Sequence, residues 1–167
     1  MYTKQESARL RQAFWTAFGQ YMSMAPSAGE EKPNWLNYKT GIKYLYFKTD
    51  AERDRASVAI VLAHPDADLQ DAYYNQLLVS KKMLEAASGP STGSGQAPSA
   101  GSGQAWIWQP PAPGENGKMI SRVYQQLEGV NVFNQADWPA IISFLKPRLM
   151  ALDTWWQEAR YGFEMLF

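Results

Sequence analysis

From Ser88 to Gln104 the chain holds only Gly, Ser, Thr, Pro, Ala and Gln, and the pentapeptide Gly-Ser-Gly-Gln-Ala occurs twice, at Gly93 to Ala97 and at Gly101 to Ala105. No side chain in this stretch is large enough to anchor a core, so nothing offsets the entropy of ordering it. The fold must therefore be assembled from the two segments that flank it. A compact domain seldom carries so long an uncharged loop, whereas a protein engineer's flexible linker has this composition. One α+β domain over residues 1–167, interrupted at 88–104, is the expected organisation, and 167 residues suit a single domain. The tract also dilutes the averages of 46% hydrophobic and 19% charged residues, so the folding segments are more apolar than those figures.

Several chemistries are excluded by composition. The chain has no cysteine and one histidine, His64, which rules out disulfides, thiolate zinc sites, cysteine nucleophiles, Ser-His pairs and multi-histidine metal centres. Sixteen basic residues balance sixteen acidic ones, and this neutrality gives no electrostatic footprint for a polyanion, so nucleic acid is not indicated as a partner. The first residues, Met1 to Glu6, are charged and lack the apolar core of a signal peptide, and no apolar run is long enough to span a bilayer. A cytoplasmic protein with no membrane partner is expected.

Thr3 and Glu6 stand in capping-box spacing, and Leu10, Phe14, Phe18, Tyr21 and Met22 follow at helical intervals, which predicts a first helix ending before Pro26. Leu36 to Lys48 and Arg55 to Ala63 read as the two strands of a hairpin. A second helix is expected from Asp66 or Asp68 to about Ala87. After the tract, Trp106 to Gln109 and Lys118 to Leu127 form a second hairpin around Asn116-Gly117, and Asp137-Trp138-Pro139 opens a final helix with a kink or break at Pro147. The order α-ββ-α-ββ-α requires helices to cover the apolar faces of two hairpins. The most economical result is a mainly antiparallel sheet covered by three helices.

The alternation of the first hairpin raises the central functional question. Ile42, Tyr44 and Tyr46 share a face of the first strand, and the small residues Ser57, Ala59, Val61 and Ala63 share a face of the second. Set against Tyr73, Tyr74, Asn75, Leu78 and Ser80 of the second helix, these would form either large-on-small packing or a chamber with tyrosine walls and a few polar points.

Phrases over most of the chain resemble a bacterial domain-of-unknown-function family, the one numbered 4268. They are Leu10 to Trp15, Asn37 to Gly41, Trp106 to Trp108, Gly117 to Arg122, Asp137 to Ala140 and Phe144 to Arg148. The resemblance implies similarity to the restriction-endonuclease-like fold, whose sites place an acidic residue on one strand and a Glu-x-Lys-type pair on the next. Where the family pattern has acidic residues, this chain has Tyr44 and Val61. Cleavage by a metal-activated water needs carboxylates to hold the cation, so no catalytic residue and no metal ligand are assigned.

The remaining chemistry-bearing residues have plain readings. Asp50, Glu52 and Asp54 alternate with Arg53 and Arg55 as a solvated charged connection, His64 suits a hydrogen-bonded strand end, and Lys39 and Lys43 flank Gly41 without phosphate-loop spacing. Trp155 and Trp156 diverge on one helix, so that one enters the core while the other reaches a boundary. The resulting expectation is an engineered, non-catalytic binding protein without a cofactor. Its candidate contacts are Tyr44, Tyr46, Ala59, Val61, Tyr73, Tyr74, Asn75 and Leu78, with a small aromatic or apolar ligand or a second copy of the chain as partner. A nuclease or a degenerate nucleic-acid binder is the alternative.

Overall fold

The computed structural model describes residues 3–26, 33–88, 105–114 and 116–166. The flexible stretch read from the sequence lies outside these residues from 89 to 104. Helix α1 spans Lys4–Met22 and begins with the expected reciprocal cap: the Glu6 amide donates to Thr3 Oγ1 at 3.1 Å and the Thr3 amide to Glu6 Oε2 at 3.0 Å. Strands β1 (Leu45–Ala51) and β2 (Arg55–Leu62) follow, then helices α2 (Ala67–Val79) and α3 (Lys81–Ser88), strands β3 (Ile107–Pro113) and β4 (Met119–Glu128), and helix α4 (Trp138–Glu164). The class is α+β, as expected, with the four described strands in one antiparallel sheet of order β1-β2-β4-β3.

Four local expectations are corrected. The predicted first strand starts only at Leu45, because Thr40 Oγ1 donates to the Leu45 carbonyl at 2.9 Å and Asn34 Oδ1 accepts from the amides of Leu36 and Asn37. These side-chain bonds fold residues 33–44 into a strap instead of a ladder strand. The second helix divides at Ser80, whose hydroxyl donates to the Leu77 carbonyl at 3.0 Å. Strand β3 continues through Pro113, beyond the loop expected from Pro110. Helix α4 runs through Pro147 without the expected break, since the proline lies on its exposed side, where water reaches the carbonyl one turn back.

Alternation explains where the core sits. Ala56, Val58, Ile60 and Leu62 of β2 are fully buried, as are Val123 and Ser121 of β4, and they oppose Ala51, Phe47 and Leu45 of β1. Over this face lie α2 and α4, with Tyr73, Leu77, Phe144, Leu149, Trp155, Trp156 and Phe163. The strap seals the far side of α4: the Trp156 indole donates to the Thr40 carbonyl at 3.0 Å, and Tyr38 donates to Asp153 Oδ1 at 2.5 Å. Trp155 and Trp156 are consequently both buried, which corrects the expectation that one reaches a boundary. Each fully buried aromatic of this kind contributes on the order of 2–3 kcal/mol.

Candidate functional site

The register turns the helices toward one side of the sheet only. The other side carries three cross-strand rows: Tyr46, Val61, Arg122 and Gln109; Lys48, Ala59, Tyr124 and Ile107; Asp50, Ser57 and Gln126. Among the described residues, no helix lies over these rows. Tyr46 is 41% exposed and Ile107 47%, whereas Ala59 is shielded to 7% by its longer neighbours. Lys48 Nζ sits 5.2 Å from the Tyr46 ring centre and the Arg122 guanidinium 4.5 Å from that of Tyr124. At a strand spacing of about 4.8 Å, the two tyrosines stand roughly 12 Å apart across a floor of Ala59 and Val61.

This geometry separates the residues that sequence alternation had grouped. Tyr46, Ala59 and Val61 lie on the open face; the side of β2 that α2 covers is Ile60 and Leu62, so no chamber forms between α2 and the small-residue face. Both faces of β2 are apolar, which is why alternation alone could not tell them apart. Tyr73 is fully buried, with its ring against His64 at 5.5 Å and Phe163 at 5.9 Å. Tyr74 packs edge-on to Trp108 at 6.5 Å, and burial raises both tyrosine phenols above their usual value. Asn75 and Leu78 are exposed on the outer side of α2.

Tyr44 occupies the seam between the two sides. Its φ of 67° lies in the left-handed region, uncommon for a bulky residue, and its ring meets His64 at 4.7 Å. His64 Nδ1 accepts from the Asp66 amide at 3.0 Å, while Gln70 accepts from the His64 amide and donates to Leu62 and Ser121. Together with the Asp66 cap of α2, these bonds fix the turn out of β2. His64 therefore has the hydrogen-bonded role expected of it. No group of three or more His, Asp or Glu side chains capable of holding a metal occurs among the described residues.

Of the alternating charges of the β1-β2 turn, Asp50, Arg53, Asp54 and Arg55 are exposed, as a solvated connection requires, and Glu52 is partly buried. Arg11 Nη2 reaches Glu52 at 3.2 Å, and partial burial followed by the proximity of Asp50 raises the Glu52 carboxyl, against the pull of Arg11. The guanidinium groups of Arg11 and Arg53 both approach the Phe133 ring, at 5.2 and 5.8 Å. A groove of about 520 Å³ lies beside them, lined by Arg53, Asp54, Arg55 and Glu128 to Asn131, with its charges in balance.

Sequence reasoning missed Arg148. It belongs to the apolar stripe of α4, between Leu145 and Leu149, and only 7% of it is exposed. An arginine at such a position was the available signal.

No helix among the described residues is long and apolar enough to cross a membrane. Comparison with known proteins finds no match among curated proteins or solved structures. One family model does match, over residues 10–160, and its description is Domain of unknown function (DUF4268).

Proposed function

The chain belongs to this family of unknown function, and we propose that it acts as a non-catalytic binding module whose contact surface is the uncovered face of the sheet. The observation that carries this reading is the one-sided placement of the helices, which leaves Tyr46 and Tyr124 on the uncovered face, on either side of the small floor made by Ala59 and Val61. Flat aromatic walls about 12 Å apart accept a planar apolar group between them, and Ser57, Gln109 and Gln126 supply hydrogen-bonding points around it. The tract at 88–104 serves in this reading as a spliced linker joining α3 to β3. The whole activity is cytoplasmic and needs no cofactor.

The test is a titration of isotope-labelled protein with planar aromatic fragments, followed by amide shifts. Saturable changes at Tyr46, Lys48, Ala59, Val61, Arg122 and Tyr124, abolished by Tyr46→Ala combined with Tyr124→Ala, support the reading. Changes confined to the outer side of α2 around Asn75 and Leu78 would move the contact to that helix and favour self-association instead.

A second reading rests on the cations that stack on the two tyrosines. Lys48 and Arg122 beside aromatic rings on a sheet are also suited to single-stranded nucleic acid, as in a degenerate member of a nuclease-like fold. An oligothymidylate titration at two salt concentrations separates the readings, because binding to phosphates weakens steeply with salt and fragment binding does not. In neither reading is plasmid cleaved on addition of Mg²⁺ or Mn²⁺.

A further inference from the structure

The two cations of the uncovered face stand across its floor from each other. In one cross-strand row Tyr46 of β1 faces Arg122 of β4 over Val61; in the next, Lys48 of β1 faces Tyr124 of β4 over Ala59. The four corners of the floor therefore alternate between ring and cation. Each cation is drawn to the ring on its own strand, Lys48 to Tyr46 and Arg122 to Tyr124, so one positive charge stands over β1 and the other over β4. Strand β2 runs between these two, which lie two strand spacings, about 10 Å, apart. Neither cation takes part in the ion pairs formed among the described residues, which join Arg11 to Glu52 and Arg55 to Asp54. Asp50 is one row beyond Lys48, where its Oδ1 accepts from the Ala51 amide at 3.0 Å, and Glu128 stands opposite Arg55 a row further. In a chain of balanced charge, the two rows over the floor thus hold two positive side chains and no negative one.

Resting on the reading of this face as the contact surface for a planar group, we propose that its ligand class is an aromatic dicarboxylate with the two carboxylates at opposite ends of the ring. The ring lies over Ala59 and Val61 between the tyrosines, one carboxylate meets Lys48 and the other meets Arg122. A benzene ring so substituted, with a charge-assisted hydrogen bond of about 2.8 Å at each end, spans the distance between the two cations. The planar fork of Arg122 takes its carboxylate in two parallel hydrogen bonds, and Lys48 acts as a compact point charge. A ring with one anionic group leaves one cation unanswered, and a neutral ring leaves both.

The experiment titrates the full isotope-labelled chain with terephthalate, phthalate, benzoate and benzamide at constant ionic strength and follows the backbone amides of Tyr46, Ala59, Val61 and Tyr124. Affinity is expected to fall about threefold or more from terephthalate to benzoate and again to benzamide, one exposed ion pair being lost at each step. Phthalate, whose carboxylates are adjacent, should bind no more tightly than benzoate. Lys48→Gln and Arg122→Gln, each alone, should bring terephthalate to within about twofold of benzoate on the parent chain. Benzamide, whose binding they leave unchanged, reports that the face is intact in both variants. Equal binding of terephthalate and benzamide, or of terephthalate and phthalate, overturns the proposal while the reading of the face as a contact surface stands. No saturable change with any of the four compounds overturns both. Shifts of the same amides on diluting the free chain assign the face to a second copy, and oligothymidylate binding more tightly than terephthalate assigns it to nucleic acid; either result also overturns the proposal.

Discussion

Replacing Tyr38 by Phe removes one oxygen and tests how the strap at 33–44 is fastened. Tyr38 donates at 2.5 Å to the carboxylate of Asp153, which is 2% exposed and also accepts from the Gln157 amide at 3.2 Å. Hydrogen bonds to a charged group contribute about 1.5–3 kcal/mol, and the upper part of that range applies where the carboxylate cannot turn to water. The ring of Phe still fills the space against Phe47, 4.8 Å away, so no cavity cost is added. Tyr38→Phe is thus expected to lose about 2–3 kcal/mol in urea unfolding, or roughly 4–12 °C in Tm for a domain of this size. Asp153→Asn, alone and combined with Tyr38→Phe, completes a double-mutant cycle that isolates the pair. The pH dependence gives an independent check. Burial first, then the hydrogen bond to Asp153, raise the Tyr38 phenol well above its ordinary value of 10.0. The folded state therefore keeps its proton longer than the unfolded state, so this stabilisation is complete below pH 10 and declines as the pH rises beyond it. Tyr38→Phe removes that alkaline decline. A loss under about 0.5 kcal/mol with an unchanged alkaline slope refutes the reasoning.

Two further substitutions probe the placement of the elements. A Cβ on Gly162 of α4 would stand 2.1 Å from Gln76 Nε2, the far end of a flexible side chain on α2. Gly162→Ala should stay within about 1 kcal/mol of the parent while Gln76 swings aside, and should gain about 1 kcal/mol of helix propensity once Gln76→Ala has cleared the space; a loss above about 2 kcal/mol in both backgrounds contradicts the packing. On β2, Ala59→Phe should cost under about 1 kcal/mol because no helix lies above it, whereas Ile60→Ala should cost about 2–5 kcal/mol. Equal costs in thermal unfolding would mean that the two faces have been exchanged.

Much of the architecture was legible in local chemistry. The Thr3-Glu6 box, the Asp66 cap and the Asn116-Gly117 turn, where Gly117 adopts φ 79° and the Lys118 amide donates to Asn116, all lie where spacing and turn preference put them. The aromatic run from Leu36 misled because its alternation imitates a strand, while its conformation is set by Thr40 and Asn34 acting on their own backbone. The break at Ser80 carried no proline or glycine to announce it. Part of the candidate surface, Tyr46, Ala59 and Val61, could be named in advance. Their outward direction could not, since Val58, Ile60 and Leu62 on one side and Ala59 and Val61 on the other are both suitable for burial, and only the covering helices decide between them. Arg148 and Asp153 share one cause for being overlooked: each is polar within an apolar helical stripe, where pattern reading counts the hydrophobic neighbours.

The strand order determines how copies of this domain could add to one another. In the order β1-β2-β4-β3 the edges left unpaired among the described residues belong to β1 and β3, and the two differ in kind. Prolines at 110, 111 and 113 deprive β3 of amide donors at three of its seven positions, whereas β1 contains none. A fibre of sheets needs two competent edges, one to receive and one to extend. With a single competent edge, pairing of β1 with β1 closes at two molecules about a twofold axis and then stops. Substituting the three prolines would lift that limit and turn a self-terminating association into an open-ended one.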